Sequence, residues 1–496
     1  MSNDSIFKPA FVLMSGRALG LLAAFAIPIV LARFLDQSAF GTYKQLFLVY
    51  GSLYSIAQLG MAEGLFYFLP SAGSEGGRYA FNAMVVLALA GAGCLALLWS
   101  EQARVAALLN NEALVGLIPL VGVFLMLALI SAVLEIVMTA RKHHFYAFGA
   151  FALSDILRAA LFVVPAVWWG GLAALLWGGI AFATLRLVAT VAYLAREYGA
   201  DFRPDMALAR RQFAYAAPFC IYVLVEVMQG QLHLYVVSNR FDTATFAIYA
   251  VGCLSIPLMD FLTGSTGNVM MVRLREQLLN GAAASIPAIW CDTIRKLALI
   301  FVPVIGGLLI VAHELIVVLF TSAYERSVPV FMVWALSILF SIFLTDAVLR
   351  VYAEIRFLML LGFIKLAFLA ATIGWFLSTF GLLGAILVVP TTILVAKAIA
   401  LARIKVVMQC RLSQLLPWQA LARVATLAAL AAIPALLLKS ALAIPPLPLM
   451  LVAGAVYVGT YAALVWCWGP ISEEEKFALW RVAQRRFALA WGGSRA

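Results

Sequence analysis

Long apolar blocks recur along the whole chain, from residues 10–34 to residues 446–468. Each block reaches the length of about 20 residues that a helix needs to cross the hydrocarbon core of a bilayer. Only 11% of the residues are charged, whereas roughly a quarter are charged in soluble domains. The pattern predicts an all-α integral membrane protein with about fourteen transmembrane helices, which leaves no room for a soluble catalytic domain.

The basic residues alternate along the chain between successive connections. With fourteen spans, the termini and the even-numbered connections hold 22 Lys and Arg residues, and the odd-numbered ones hold 6. Cytoplasmic connections carry the excess of Lys and Arg in membrane proteins. We therefore expect both termini in the cytoplasm. The first block has no small-residue cleavage site, so we interpret it as a span and not as a removed signal peptide.

No motif of cofactor or metal chemistry is present. The six cysteines show no C-x-x-C spacing, and no G-x-x-x-x-G-K-[ST] segment is available to bind ATP phosphates. His313 and Glu314 lack the second histidine of a zinc protease helix. The sequence predicts no catalytic residues, no metal site and no cofactor.

An internal repeat indicates the architecture. The frame D-x-x-x-F-x-x-Y begins at Asp36 after the first block and at Asp242 after the seventh, 206 residues later. A weaker echo relates Glu135 to Asp346. Two copies of a six-helix unit share one orientation because six is even, and parallel repeats enclose a cavity in transporters. We expect two parallel six-helix lobes around a central cavity, followed by two C-terminal helices.

This repeat predicts an N-terminal lobe at 1–200, a C-terminal lobe at 201–410, two extra spans within 411–468 and a cytoplasmic tail at 469–496. Short tight hairpins are expected at Gly170 and Gly381. The tail begins with the spacing of a capping box and continues with alternating aromatic and basic residues: Ser472, Glu475, Lys476, Phe477, Trp480, Arg481, Arg485, Arg486, Phe487 and Trp491. We interpret it as an amphipathic helix on an anionic leaflet, and a solvated tail is the alternative.

Ionisable side chains inside spans are the candidate site residues, because each charge near the bilayer centre costs about 2.5–3.5 kcal/mol and usually faces a partner or a wet cavity. The bases are Arg17, Arg158, Arg186, Lys365 and Lys397. The acids are Glu63, Glu135, Asp155, Glu226 and Asp260. Polar side chains on the same spans are Gln58, Gln229, Gln231 and His233.

Several of these residues have a structural alternative. Asp155 and Arg158 are three residues apart on one helix and can neutralise each other. Arg186 and Lys397 can extend towards the headgroups. His233 can serve as a hydrogen-bond partner between helices instead of relaying protons.

Three segments resemble a known transporter family. Residues 31–43 are similar to the end of the first span in bacterial polysaccharide-transport flippases, the Wzx-type branch of the multidrug/oligosaccharidyl-lipid/polysaccharide exporter superfamily. Residues 208–218 resemble the basic amphipathic lead into the seventh span of that family, and residues 246–249 resemble its next turn. His233 stands where members often have an acid, and Ala247 stands where glycine is usual.

The resemblance implies a V-shaped pair of lobes with a cavity lined by spans one, two, seven and eight. The related lipid II flippases place basic residues of the first span towards the pyrophosphate of the substrate, which by analogy implies this role for Arg17. Their last two helices can form a groove for a polyprenyl tail.

We therefore expect a flippase of the bacterial cytoplasmic (inner) membrane that moves an undecaprenyl-pyrophosphate-linked oligosaccharide outward for O-antigen or exopolysaccharide synthesis. On this hypothesis positive side chains surround a wet vestibule. The expected pyrophosphate-binding bases are Arg17, Arg186, Lys365 and Lys397, the sugar-binding residues are Gln58, Gln229 and Gln231, and the coupling or cavity groups are Glu63, Glu226, Asp260 and His233. Membrane lipids, and glycan polymerase or synthase subunits, are the other expected partners, and nucleic acid is not expected.

Two alternatives remain open from the sequence. One is a cation-coupled exporter of drugs or metabolites with the same fold. The other is a non-transporting scaffold subunit of an exopolysaccharide synthase, which the basic cytoplasmic surface also suits.

Overall fold

The computed structural model describes residues 7–141, 143–477 and 481. Within these residues the chain forms helices and no strands, so the predicted all-α class is confirmed. Contacts divide the chain into unit 1, which comprises Met1–Cys253 and Gly362–Val388, and unit 2, which comprises Leu254–Leu361 and Val389–Ala496. This division does not test the predicted lobe boundaries, which stay a prediction.

The helices follow one another with short connections. The first are α1 (Phe7–Phe34), α2 (Gln37–Ala57), α3 (Met61–Phe68), α4 (Gly76–Ser100), α5 (Gln102–Leu108), α6 (Ile118–Ser131), α7 (Leu134–Ala140), α8 (His144–Trp168), α9 (Gly171–Tyr198) and α10 (Met206–Arg240). They are followed by α11 (Thr243–Gly252), α12 (Pro257–Leu279), α13 (Ile286–Ile310), α14 (Ala312–Phe320), α15 (Val328–Ile338), α16 (Thr345–Val351), α17 (Ile355–Val407), α18 (Leu412–Leu415), α19 (Trp418–Ala441) and α20 (Pro446–Trp468). Short 3₁₀ helices lie at Leu69–Ser71, Gly73–Glu75, Glu112–Leu114, Gly199–Asp201, Ala283–Ser285, Ser322–Ser327 and Leu339–Ile342.

The number of spans depends on how helices are counted, and a count by length and composition takes α17, which is reversed at Gly381, as one helix. Among the described residues, 10 helices are long and apolar enough to cross a membrane, and the number is 11 if α11 and α12 form one span. The predicted count of fourteen is not confirmed. One reason is that the predicted span 45–69 is broken between α2 and α3, where Leu59 and Gly60 have positive φ. The protein is nevertheless a multi-pass membrane protein.

The two halves of the chain repeat the same order of elements. Helix α4 at Gly76–Ser100 corresponds to α13 at Ile286–Ile310, displaced by 210 residues, and α7 at Leu134–Ala140 corresponds to α16 at Thr345–Val351, displaced by 211. The internal repeat is therefore confirmed at the level of elements.

The repeated frame D-x-x-x-F-x-x-Y has a structural reason. Asp36 is the N-cap of α2 and accepts a hydrogen bond from the backbone N–H of Ala39 at 2.7 Å. Asp242 caps α11 in the same way. An aspartate at this position satisfies backbone donors that the first helical turn leaves unpaired. The following aromatic residues are buried: Phe40, Tyr43, Phe246 and Tyr249.

Both predicted hairpins are present. At the start of α9, Gly170 adopts φ 73° and ψ 150°. Within α17, Gly381 adopts φ 58° and ψ −138°. Residues eight apart in a straight helix are separated by about 12 Å, but a Cβ on Gly384 would collide with the backbone of Phe376. The chain therefore reverses inside α17, which contains two helical arms.

Each unit has its own apolar core. In unit 1 the buried cluster includes Leu87, Leu125 and Val137. In unit 2 it includes Trp290 and Val348. Because lipid and not water is the alternative environment of such side chains in membrane spans, close van der Waals packing stabilises each unit.

The described part of the tail is attached to unit 2. Ser472 and Glu475 form the predicted capping box, with bonds of 3.0 and 3.2 Å. The Glu475 carboxylate also accepts hydrogen bonds of 2.6 and 3.0 Å from Arg295 of α13. These bonds lower the pKa of Glu475 to about 2. Residues 478–480 and 482–496 lie outside the described residues, and so does the predicted amphipathic helix.

Candidate functional site

Unit 1 contains a cavity of about 390 Å³ among otherwise apolar helices. Its walls come from α2, α3, α6, α7, α8 and α9. The polar residues that line it are Tyr50, Tyr54, Gln58, Glu63, Glu135, Asp155, Arg158 and Arg186. A polar lining within apolar spans is typical of a binding or transport site, because ionisable groups at this depth are costly.

One ion pair in the cavity wall joins α7 to α9. The Arg186 guanidinium lies 2.6 Å from the Glu135 carboxylate and also donates a hydrogen bond to Ser154 of α8. The Glu135 side chain is 6% exposed and that of Arg186 is 21% exposed. Arg186 therefore does not extend to the headgroups. Its charge is compensated inside unit 1.

A second ion pair lies on α8. The Arg158 guanidinium is 2.7 Å from the Asp155 carboxylate, one helical turn away. The salt bridge considered from the spacing is confirmed. A Cβ on Gly20 of α1 would collide with the Asp155 carboxylate, so α1 packs closely against this acid.

The described cavity lining in unit 1 carries both acids and bases. The described lining has three carboxylates, on Glu63, Glu135 and Asp155, and two guanidinium groups, on Arg158 and Arg186. With all five groups ionised, these residues carry a net charge of −1. Each arginine of this described lining is paired with an acid. The expected cationic vestibule between the lobes stays a prediction.

Among the candidate residues, the structure brings Gln58, Glu63 and Arg186 together in this cavity. Gln58 is at the C-terminal end of α2, and Glu63 is in the first turn of α3. The break between these two helices therefore places both side chains at the cavity.

Four further candidates lie on α10. Glu226 is exposed, and Gln231 is partly buried. Gln229 donates a hydrogen bond of 2.8 Å to the carbonyl oxygen of Gly362, which attaches α10 to α17 within unit 1. These positions do not test the predicted sugar-binding and coupling roles.

His233 is 2% exposed and connects two helices. Its Nδ1 lies 2.7 Å from the hydroxyl oxygen of Tyr249, and that hydroxyl donates to the carbonyl oxygen of Ala385 at 3.0 Å. Because the hydroxyl has one proton, Nδ1 of His233 is the donor in this arrangement. The geometry matches the hydrogen-bond role considered for this residue.

The remaining candidates lie elsewhere. Lys365 of α17 is partly buried in unit 1, and Asp260 of α12 is exposed in unit 2. Lys397 donates hydrogen bonds of 2.8 and 2.9 Å to the carbonyl oxygen of Phe343 and the hydroxyl of Thr345 in unit 2. Arg17 belongs to α1, but its side chain lies outside the described part of the chain. Its predicted role stays a prediction.

The sequence places Glu135 among the acids inside spans but does not predict that it belongs to the site. It also does not predict the ion pair between Glu135 and Arg186. A signal for this pair exists in the sequence. Glu135 and Arg186 recur as Asp346 and Lys397, both displaced by 211 residues, and the second pair is separated by 3.9 Å. An acid and a base that keep the same displacement are expected to face each other in both copies.

Among the described residues, no group of three or more His, Cys, Asp or Glu side chains could hold a metal ion. The chemistry that the cavity offers is ion pairing and hydrogen bonding. The two guanidinium groups can form charge-assisted hydrogen bonds with phosphate or carboxylate groups. The tyrosine and glutamine side chains can form hydrogen bonds with sugar hydroxyls.

Comparison with known proteins identifies the fold. The lipid II flippase MurJ, in an inward closed conformation, matches with a TM-score of 0.69 at 12% identity, over 92% of this chain and 98% of its own. An inward-facing multidrug resistance transporter of the MATE family matches with a TM-score of 0.57 at 14% identity, over 81% of this chain and 99% of its own. A transporter of the MOP superfamily from Pyrococcus furiosus gives 0.57 at 13% identity, over 82% and 95%. These matches show that the chain shares the fold of these proteins.

Comparison at the level of sequence identifies the family of this chain. No curated protein sequence matches this chain. A family described as polysaccharide biosynthesis protein matches residues 30–329, which is more than half of the chain. Because this match covers more than half of the chain, the chain belongs to the polysaccharide biosynthesis protein family.

Proposed function

We propose that this protein is a flippase that carries an undecaprenyl-diphosphate-linked oligosaccharide from the inner to the outer leaflet of the bacterial cytoplasmic membrane by alternating access. Family membership supports a role in polysaccharide biosynthesis. The fold supports a flippase, since the lipid II flippase shares it over nearly the whole chain.

The observation that carries the proposal is the polar cavity of unit 1. It combines two arginines with tyrosine and glutamine side chains inside helices that are otherwise apolar. A lipid-linked oligosaccharide presents the same combination of groups, with phosphates next to sugar hydroxyls. The volume of this cavity is about 390 Å³.

The proposed binding roles remain those assigned from the sequence. Arg17, Arg186, Lys365 and Lys397 contact the diphosphate during the transport cycle, and Gln58, Gln229 and Gln231 contact the sugars. Glu63, Glu226, Asp260 and His233 are the coupling or cavity groups. O-antigen or exopolysaccharide synthesis is the proposed pathway, and a glycan polymerase or synthase is the proposed partner, with both termini of the flippase in the cytoplasm.

The test is translocation in reconstituted vesicles that contain a labelled polyprenyl-diphosphate oligosaccharide. Label that reaches the outer leaflet is scored by an impermeant quencher. We expect Arg186→Ala to abolish most of the translocation, whereas Arg104→Ala leaves it unchanged, since the Arg104 side chain is 84% exposed and pairs with Glu101. If Arg17→Ala and Glu226→Gln both translocate at the wild-type rate, the roles of these two residues are wrong.

A second candidate function is export of cationic drugs or metabolites. The net charge of −1 in the described cavity lining favours it, because an acidic lining attracts cations. Uptake of a cationic dye into inverted vesicles under a proton or sodium gradient distinguishes the two functions. Dye transport without translocation of the lipid-linked oligosaccharide would replace the flippase proposal with this one.

A further inference from the structure

The pair Glu135–Arg186 differs from its repeat in unit 2. Here the acid and the base are 2.6 Å apart, and the Glu135 side chain is 6% exposed. In the related pair, Lys397 lies 3.9 Å from Asp346, whose side chain is 60% exposed. The short, buried pair is therefore in unit 1, where it lines the cavity.

The negative charge of the described cavity lining opposes the binding of an anion. The described lining already carries a net charge of −1, and a diphosphate diester adds two negative charges, which brings the total to −3. In a site of low dielectric constant such an excess is strongly unfavourable. Arg17, to which we assign contact with the diphosphate, supplies one positive charge, and protonation of one carboxylate removes a further part of the excess.

The neighbouring groups decide which carboxylate this is. Glu63 is exposed, whereas Glu135 is buried. Asp155 keeps its own partner, Arg158, at 2.7 Å. Glu135 is buried, and its partner Arg186 is the base that a phosphate would take. Tyr54 also lines the cavity wall, but it is uncharged.

The exchange is chemically favourable for the arginine. A guanidinium group forms parallel hydrogen bonds with a phosphate as readily as with a carboxylate. Arg186 can keep its bond to Ser154 of α8 during the exchange, since a guanidinium has five N–H donors. The Glu135 carboxylate, in contrast, then lies in a buried site without its cation. Binding of a proton removes the cost of this unpaired charge.

We propose that the diphosphate of the substrate displaces Glu135 from Arg186 and that the released Glu135 carboxylate takes up one proton. This inference rests on the proposed function and adds its coupling step. The guanidinium N–H groups exchange a carboxylate for phosphate oxygens, and a proton from water binds to a Glu135 oxygen, so no covalent bond between heavy atoms forms or breaks. Release of the substrate reverses both steps, with Glu135 losing its proton as it pairs with Arg186 again.

The experiment measures proton uptake when inorganic pyrophosphate binds to the full-length protein in nanodiscs. Calorimetry in two buffers with different heats of ionisation gives the number of protons bound. The wild type should take up one proton more than Glu135→Gln does, and its affinity relative to that variant should fall about tenfold for each pH unit above neutrality, as linkage to one proton requires. Ionisation of pyrophosphate itself is common to both proteins and cancels in the comparison.

The matched control is Glu101→Gln, which removes the carboxylate of an Arg–Glu pair outside the described cavity lining and should keep the wild-type proton uptake. Glutamine preserves the shape and one hydrogen-bond acceptor of Glu135. If Glu135→Gln does not fold, the double variant Glu135→Gln with Arg186→Gln removes the pair completely. That variant should show weak binding of pyrophosphate and no extra proton uptake.

The outcomes separate this inference from the proposed function. Equal proton uptake by the wild type and Glu135→Gln would overturn the exchange but leave a flippase that recognises diphosphate. Loss of the extra proton in Glu101→Gln as well would also overturn it. If pyrophosphate binds to none of these proteins, both the exchange and the proposed substrate class fail.

Discussion

At the scale of single residues, Gly41 shows how the repeated motifs are joined. It lies in α2 directly after the buried Phe40, and a Cβ at this position would collide with the backbone carbonyl of Thr243 at the start of α11. A backbone atom at the start of a helix cannot move aside without displacing the helix. The close approach of α2 and α11 within unit 1 therefore requires glycine at this position.

We expect Gly41→Ala to reduce the free energy of unfolding by about 1–3 kcal/mol, the usual cost of overpacking. Gly51→Ala is the matched control, since Gly51 lies in the same helix and a Cβ there meets no atom within 4 Å. The thermal midpoint in detergent measures both variants. Equal midpoints for the two would show that the helices separate without cost.

Glu314 is a buried carboxylate that depends on a cation from another helix. It is 4% exposed, and Lys439 of α19 donates to it at 2.8 Å. Burial disfavours the charged carboxylate, but the hydrogen bond from Lys439, a backbone hydrogen bond and the nearby charges of Lys439 and His313 together hold the pKa of Glu314 below its usual 4.5. The ion pair therefore stabilises the fold above pH 4.5, and this contribution is lost as the pH falls through the lowered pKa.

Replacing Lys439 by Gln should destabilise the protein by about 3 kcal/mol at pH 7, because it leaves a buried charge without its cation. The difference from the wild type should narrow as the pH falls from 7 towards 4, because burial without the Lys439 cation raises the pKa of Glu314 in the variant and the carboxylate takes up a proton. Thermal midpoints between pH 4 and pH 7 give this dependence. A difference that stays constant over this range would mean that Glu314 is not the group involved.

At the scale of elements, two reversals at glycine define the helical hairpins. Gly170 and Gly381 are displaced by 211 residues, and both have positive φ. A side chain at Gly381 would strain the backbone, because φ 58° with ψ −138° is accessible almost only to glycine.

Gly381→Ala should therefore destabilise the protein by about 1–3 kcal/mol. Gly374→Ala is the control from the same α17, since Gly374 is helical and a Cβ there meets no atom within 4 Å. It should be neutral or stabilising, because alanine favours the helix by about 1 kcal/mol. Both effects are measurable as shifts of the thermal midpoint, and a Gly381 variant as stable as the control would contradict the strained turn.

The breaks inside the spans were harder to predict than these reversals. The segment over α2 and α3 is apolar on both sides of its break, and so is the segment over α6 and α7. Apolar periodicity reports which faces are buried and not where a helix is interrupted. The break at Leu59 and Gly60 places Gln58 and Glu63 at the cavity. No proline stands at this break to indicate it in the sequence.

At the scale of the whole molecule, the proposed function predicts how transport depends on the membrane potential. Two negative charges that move outward through an inside-negative potential gain about 2.3 kcal/mol per charge for each 100 mV. If one proton travels with the substrate on Glu135, the net charge moved is one instead of two.

The ratio of substrate in the two leaflets should therefore change roughly threefold per 25 mV in the wild type, and about sevenfold in Glu135→Gln. Potassium diffusion potentials in proteoliposomes at equal pH on both sides set the voltage, and a leaflet-specific label measures the ratio. A sevenfold response of the wild type would mean that no proton accompanies the substrate.

The sequence by itself determined the membrane environment, the helical class and the repeat, because all three follow from the length and spacing of apolar blocks and from one recurring motif. It also predicted which ionisable residues lie inside spans, because their positions within the apolar blocks can be identified directly. The free-energy cost of a charge at such positions indicates that these residues have a role. Only the tertiary structure decided which of them meet. Arg186 pairs with Glu135 and Lys397 contacts Phe343 because helices distant in sequence pack side by side. Pairing across helices depends on how each helix is broken and rotated, and local sequence patterns do not contain this information.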